Sequence, residues 1–271
     1  MLQSIQHYIF LLGGTFYKYK ILININEIKM KKQLLTLILI TATLTVNSQS
    51  WWNTKKVKGN GKVTTETRKI DNFDTVVIGG SFDVNLVEGK TGQITIEGEE
   101  NILPYIETEV SGDKLKIQFK NNTNIKTTRR LIVTVPFEHL ESVSLGGSGN
   151  VNIEKTINSD EFSVNLGGSG NINAHLNTNT TKASIGGSGN IKLTGKTDSF
   201  KCSIAGSGSI KAYDLESVNL KANIAGSGSI QNTVKTKIKA TVVGSGSIYY
   251  KGNPTYIDTN SLGSGDVVDR N

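Results

Sequence analysis

The chain has 271 residues, of which 36% are hydrophobic, 29 are Gly and one is Cys, and its 30 Lys and Arg against 23 Asp and Glu give a formal net charge of +7. A single cysteine excludes an intrachain disulfide, so the fold must be held by its core alone. Residues 1–29 contribute a net +2, and Lys31 and Lys32 another +2, which leaves +3 for the remainder; with no basic run interleaved with aromatics, a nucleic-acid partner is excluded as a reading.

Residues 1–29 are apolar without a clean period. Met30-Lys31-Lys32 then opens a second start, followed by an apolar run over 34–46 and by Asn47-Ser48-Gln49. A basic start, a short apolar core and small residues at its end predict a secretory signal peptide over 30–48, cleaved after Ser48. Met30 is then the true initiator, and 1–29 is upstream sequence from a mis-assigned start. The apolar run is short for a spanning helix, so no membrane span is expected after cleavage. Residues 49–59, with Trp51-Trp52 followed by Lys55, Lys56 and Lys58, predict a flexible lead-in. Residues 60–271 predict one domain.

Its first half is irregular. Phe73 to Ile78, Gly79-Gly80-Ser81 and Phe82 to Val87 form a degenerate strand, glycine corner and strand. Residues 93–98 alternate as a strand, and 102–106, with Pro104, predict a turn or short helix. Ser111-Gly112-Asp113 joins two strands as a hairpin. Residues 121–128 predict a polar loop, and 131–136 a strand.

The second half repeats. Gly-Ser-Gly begins at Gly147, Gly168, Gly187, Gly206, Gly226, Gly244 and Gly263, with steps of 21, 19, 19, 20, 18 and 19 residues. Leu145, Leu166, Ile185, Ile204, Ile224 and Val242 stand two places before the triplet. Val143, Val164, Ala183, Cys202, Ala222 and Ala240 stand four before, with polar residues between. Val151, Ile172, Ile191, Ile210, Ile230, Ile248 and Val267 stand two places after it. This alternation is that of a strand with one buried face. Each unit therefore predicts strand, glycine corner, strand and polar return loop. A unit of about 20 residues cannot close its own core and must stack on its neighbours. The fold class predicted is all-β, a parallel β-helix or β-solenoid with rungs of 19–20 residues and a less regular N-terminal half.

Two outward columns are candidate sites. Asn150, Asn171, Asn190, Ser209, Ser229, Ser247 and Asp266 follow the triplets and predict a corner ladder, structural in role, at about the 4.8 Å strand spacing. Lys182, Lys201, Lys221 and Lys239 share a column and form a candidate anion-facing row. Cys202 falls in the small inward column and is expected to be a buried hydrophobe.

The corners lack the Asp of calcium-binding solenoid repeats. His139 and His175 have no ligand-spaced partners. Seven equivalent serines without a paired His do not make a nucleophile. Asp160, Glu161, Asp198, Asp214 and Glu216 gather loosely on one edge and would be the acids of a carbohydrate-active enzyme, though solvated loops account for them as well. No catalytic residue, metal or cofactor is expected.

The recurring Gly-Gly-Ser-Gly-Asn-Val/Ile at 146–151, 167–172 and 186–191, with Phe73-Asp74-Thr75-Val76 and Gly80 to Val84 upstream, resembles the GIN domain family. That family is described as an autotransporter-adhesin head found in exported proteins of Bacteroidetes-type bacteria. The resemblance covers about residues 60–268 and implies a right-handed β-helix-like fold and a periplasmic or surface location. The function expected is a non-catalytic binding or structural module, adhesin-like, whose partner is a surface glycan or an envelope protein. A carbohydrate-active β-helix enzyme acting on polysaccharide is the alternative, and a scaffold associating through its ends is a third reading.

Overall fold

The structure is a computed structural model and describes residues 55–271. The expected signal peptide, its cleavage point and the status of 1–29 lie outside the described residues, as does most of the lead-in.

The repeats form a parallel coil. The first regular rung is β10 (Ser142–Gly147), a corner, and β11 (Asn150–Ile153). Then follow β12 (Ile157–Gly168), β13 (Asn171–Gly187), β14 (Asn190–Gly206), β15 (Ser209–Gly226), β16 (Ser229–Gly244), β17 (Ser247–Lys251), β18 (Tyr256–Gly263) and β19 (Asp266–Asp269). Val143 pairs with Val164, Val164 with Ala183, Ala183 with Cys202, Cys202 with Ala222 and Ala222 with Ala240, so the inward column stacks rung upon rung. These residues are buried, as are Leu145, Leu166, Ile185, Ile204, Ile224 and Val242 beside them.

The corner needs glycine twice over. Gly147, Gly168, Gly187, Gly206, Gly226, Gly244 and Gly263 all have φ between +118° and +143°, a region costly to any residue with a Cβ. Each stacks so closely that a Cβ would overlap the carbonyl oxygen of the equivalent glycine one rung before. That carbonyl accepts the next serine N–H, as from Ser188 to Gly168 at 2.9 Å and Ser207 to Gly187 at 2.9 Å. The triplet's last glycine has no strained φ but is equally hemmed in: a Cβ on Gly208 would sit 2.6 Å from the Gly189 oxygen. The serine between them points to solvent.

The polar return loops expected after the corners are strands instead in β13 to β16, while short loops remain at 154–156 and 252–255. β13 runs unbroken for 17 residues and alternates buried and exposed through Asn171-Ile172-Asn173-Ala174-His175-Leu176-Asn177-Thr178. The segment looked loop-like because some inward positions hold Thr or Ser. Those hydroxyls satisfy one another inside the coil: Thr178 bonds Thr181 at 2.7 Å and Thr197 at 3.1 Å. Pairing of buried polar groups removes the cost of desolvating them. The register slips between Ala212 and Glu216, where a rung of 20 residues precedes one of 18. Buried Asn232 fills the resulting bulge. Its amide donates to the carbonyls of Ala212 at 3.2 Å and Leu215 at 2.8 Å, and it accepts from the Ser217 hydroxyl at 2.5 Å.

The first half closes one end. β3 (Thr75–Gly79) and β4 (Asp83–Glu88) form the degenerate rung around Gly80 and pair in parallel with β10 and β11. On their other side lie β7 (Lys114–Phe119) and β9 (Ile132–Phe137), also parallel. The stacking order therefore departs from chain order here: strands later in sequence sit beneath β3 and β4. Beyond them the pairing turns antiparallel. β5 (Gln93–Glu99) pairs with β9 and with β2 (Val63–Lys69), and β6 (Ile106–Ser111) forms the expected hairpin with β7. Leu103–Tyr105 is one 3-10 turn with Pro104 near its start. Within the expected polar loop, Thr123–Lys126 forms a strand, β8. Within the expected lead-in, Lys55–Lys58 forms β1, and the two pair in parallel as a separate small sheet.

Candidate interaction surfaces

Because rungs repeat in register, a side chain that faces outward in one rung faces outward in the next, at about the 4.8 Å strand spacing. The corner column is a continuous ladder. Asn150 pairs with Asn171, Asn171 with Asn190, Asn190 with Ser209, Ser209 with Ser229, Ser229 with Ser247 and Ser247 with Asp266. At its foot Asp83 accepts from the Asn150 amide at 2.7 Å; Asn150 accepts from Asn171 at 2.8 Å, and Asn171 from Asn190 at 3.0 Å. The amide dipoles thus run head to tail onto a carboxylate. Ser229 donates to Ser209 at 3.0 Å higher up. Asp83 was not among the expected ladder residues. Its signal was the degenerate corner Gly79-Gly80-Ser81, which places Asp83 in the column.

The lysine row is equally contiguous. Lys182 pairs with Lys201, Lys201 with Lys221 and Lys221 with Lys239, all exposed. Its ends meet acids: Lys182 bridges Glu161, and Lys239 lies 3.5 Å from Asp258. Among the described residues, Lys201 and Lys221 have no carboxylate partner. Like charges on adjacent strands repel, and no described carboxylate offsets these two.

A second, polar corner is formed by the return strands. Asn158, Asn177, Lys196 and Glu216 follow one another in register. A shallow groove of about 280 Å³ is lined there by Asn177, Lys196, Asp198, Glu216 and Lys235. Two of the edge acids, Asp198 and Glu216, are brought together in it, while Asp160 is held by the Asn179 amide at 2.8 Å. Lys235, 2.7 Å away, donates to Glu216 and holds its carboxyl below the usual range. A general acid at neutral pH needs the opposite shift.

His175 bonds Thr194 at 2.7 Å, and His139 lies 3.5 Å from Glu141. No cluster of three metal-ligating side chains occurs among the described residues. Burial pushes the Cys202 thiol well above its ordinary range, so it is neither nucleophile nor ligand. No described helix is long and apolar enough to cross a membrane.

A parallel coil with glycine corners, a buried apolar column and outward columns of similar residues is a β-solenoid repeat protein. The chain belongs to the family described as "Putative auto-transporter adhesin, head GIN domain", which matches residues 72–254. Among solved structures, a "putative adhesin" of Bacteroides fragilis aligns with a TM-score of 0.74 over 79% of this chain and 100% of its own, at 24% identity, a likeness of fold. A "putative adhesin" of Parabacteroides merdae gives 0.64 over 80% and 100%, at 27% identity. A "putative lipid binding protein" of Parabacteroides distasonis gives 0.68 over 80% and 100%, at 28% identity. No curated protein matches the sequence.

Proposed function

We propose that this protein is an exported, non-catalytic adhesin-like module that uses its outward columns to bind a regular, anionic polymer of the cell surface or envelope. The observation that carries this reading is the unbroken register of Lys182, Lys201, Lys221 and Lys239. It sets cationic groups at about the rung spacing, matched to a chain whose charges also recur. The Asn and Ser ladder is given a structural role, supported by the bonds that link Asn150, Asn171 and Asn190 and that join Ser229 to Ser209. Membership of an adhesin-described family supports both export and binding. The depressed Glu216 carboxyl is the opposite of what a general acid needs.

Glycan arrays of acidic and neutral polysaccharides test this. Acidic polymers are expected to bind without product release, and Lys201→Ala with Lys221→Ala is expected to weaken binding tenfold or more. Equal binding of neutral polymers, or turnover of the acidic ones, would defeat the proposal. Cell fractionation with surface proteolysis tests the location.

A further inference from the structure

The excess positive charge of the described chain is gathered at one place that the lysine row does not include. β1 and β8 pair so that Lys58 stands beside Lys126 and Lys56 beside Asn124 on one exposed face. Lys55 lies over the Tyr105 ring, 5.1 Å from its centre. Lys62 and Arg129 flank the sheet, both exposed. These six cations meet two nearby acids. One is Glu100, 3.6 Å from Lys62. The other, Glu99, is buried and occupied by backbone N–H groups. The other described residues carry 19 cations against 20 acids. The patch therefore accounts for the whole net charge of +3.

This face is held rigidly. The Lys55 N–H donates to Asn122 at 3.0 Å and the Gly59 N–H to Lys126 at 2.9 Å. The Asn101 amide donates to the Lys58 carbonyl at 2.8 Å. Glu99 accepts from the N–H of Gly61 at 2.7 Å and of Thr128 at 2.8 Å, which pins both flanks of the sheet to the body. Lys58 and Lys126 lie side by side without a carboxylate partner among the described residues. Such a like-charge pair is unfavourable in the free protein, and an anionic surface would relieve it.

We infer that the β1–β8 face docks on the surface of an anionic lipid bilayer. Two observations choose a bilayer over a polyanionic chain. Five of the cations spread over a small sheet face and its flanks, with Lys55 on the side of β1 turned to Tyr105, whereas the lysine row is a single file. They are lysines in the main, which act as point charges toward a field of headgroups and need no bidentate geometry. Each cation near an anionic surface is worth roughly a fivefold gain in partition, so the site fits phosphatidylglycerol-type headgroups collectively, with no single binding pocket.

The test is co-sedimentation of the exported protein with vesicles of phosphatidylcholine alone or with phosphatidylglycerol added. Binding is expected only with the anionic lipid, and is expected to fall steeply between low salt and about 0.5 M salt, where the Debye length shrinks to a few ångströms. Lys56→Glu with Lys58→Glu and Lys126→Glu should lower partition about a hundredfold or more. The Lys201→Ala and Lys221→Ala variant should bind vesicles as the unaltered protein does, so failure of this inference is separable from failure of the polymer-binding proposal. Lys→Gln changes at the same three positions repeat the test without new acids. Equal binding to both vesicle types, unchanged binding by the charge-reversed protein, or capture by a soluble acidic polysaccharide with none by vesicles would each overturn it.

Discussion

At the residue scale, two buried polar side chains hold irregular backbone in place. Glu99, only 2% exposed, accepts from the Gly61 and Thr128 N–H groups, the Thr128 hydroxyl at 2.6 Å and the Arg129 N–H at 3.3 Å. Burial pushes its carboxyl up, but the Thr128 hydroxyl and these N–H donors outweigh that and lower it from 4.5 to about 2. A carboxylate depressed in the folded state stabilises fully above its unfolded value. That contribution is therefore expected at neutral pH and lost as pH falls from 4.5 toward 2. Denaturant melts of Glu99→Gln at pH 7 should show a loss of about 1–3 kcal/mol, with part of the acid sensitivity gone. A variant that retains the full acid transition would assign it elsewhere. Asn232 does the same for the bulge in β15. Replacing it with Leu strands the Ala212 and Leu215 carbonyls and should also cost about 1–3 kcal/mol.

At the element scale, the corner is the least forgiving part of the coil. Gly206 has φ +127° and lies under the Gly226 backbone. Gly206→Ala adds a left-handed-region penalty of about 1–2 kcal/mol and a clash with the Gly187 oxygen. A thermal melt should fall well below that of Ala205→Gly, whose side chain faces solvent. Equal melts would remove the steric argument for the triplet. The triplet was legible from the sequence because its requirement is local and recurs seven times. The return strands were not, because Thr178, Thr181 and Thr197 look solvent-facing until another rung supplies their partners.

At the scale of the whole molecule, the two ends of the coil differ. Antiparallel strands β2, β5 and β6 cover the first rungs, which blunts an otherwise open parallel edge. At the other end, β18 and β19 are paired on one side only, and Ile257 and Leu262 are 47% and 70% exposed. In a solenoid each rung is stabilised chiefly by its neighbours, so opening should start where one neighbour is absent. Hydrogen exchange is expected to be fastest over residues 256–269 and slowest in β13 to β15. Uniform protection along the coil would contradict a rung-by-rung account.

The spacing of Gly-Ser-Gly and the alternation around it determined, unaided, the stacked rungs, the inward column through Cys202, the corner ladder and the lysine row. All of these follow from a period repeated at fixed offsets, and a period is a property of the chain itself. Tertiary structure alone decided that β7 and β9 lie beneath β3 and β4, and that Lys58 meets Lys126 on one face. Those arrangements join residues tens of positions apart through single, unrepeated contacts. No pattern in sequence announces a contact made once, because its energy depends on what the folded chain brings alongside.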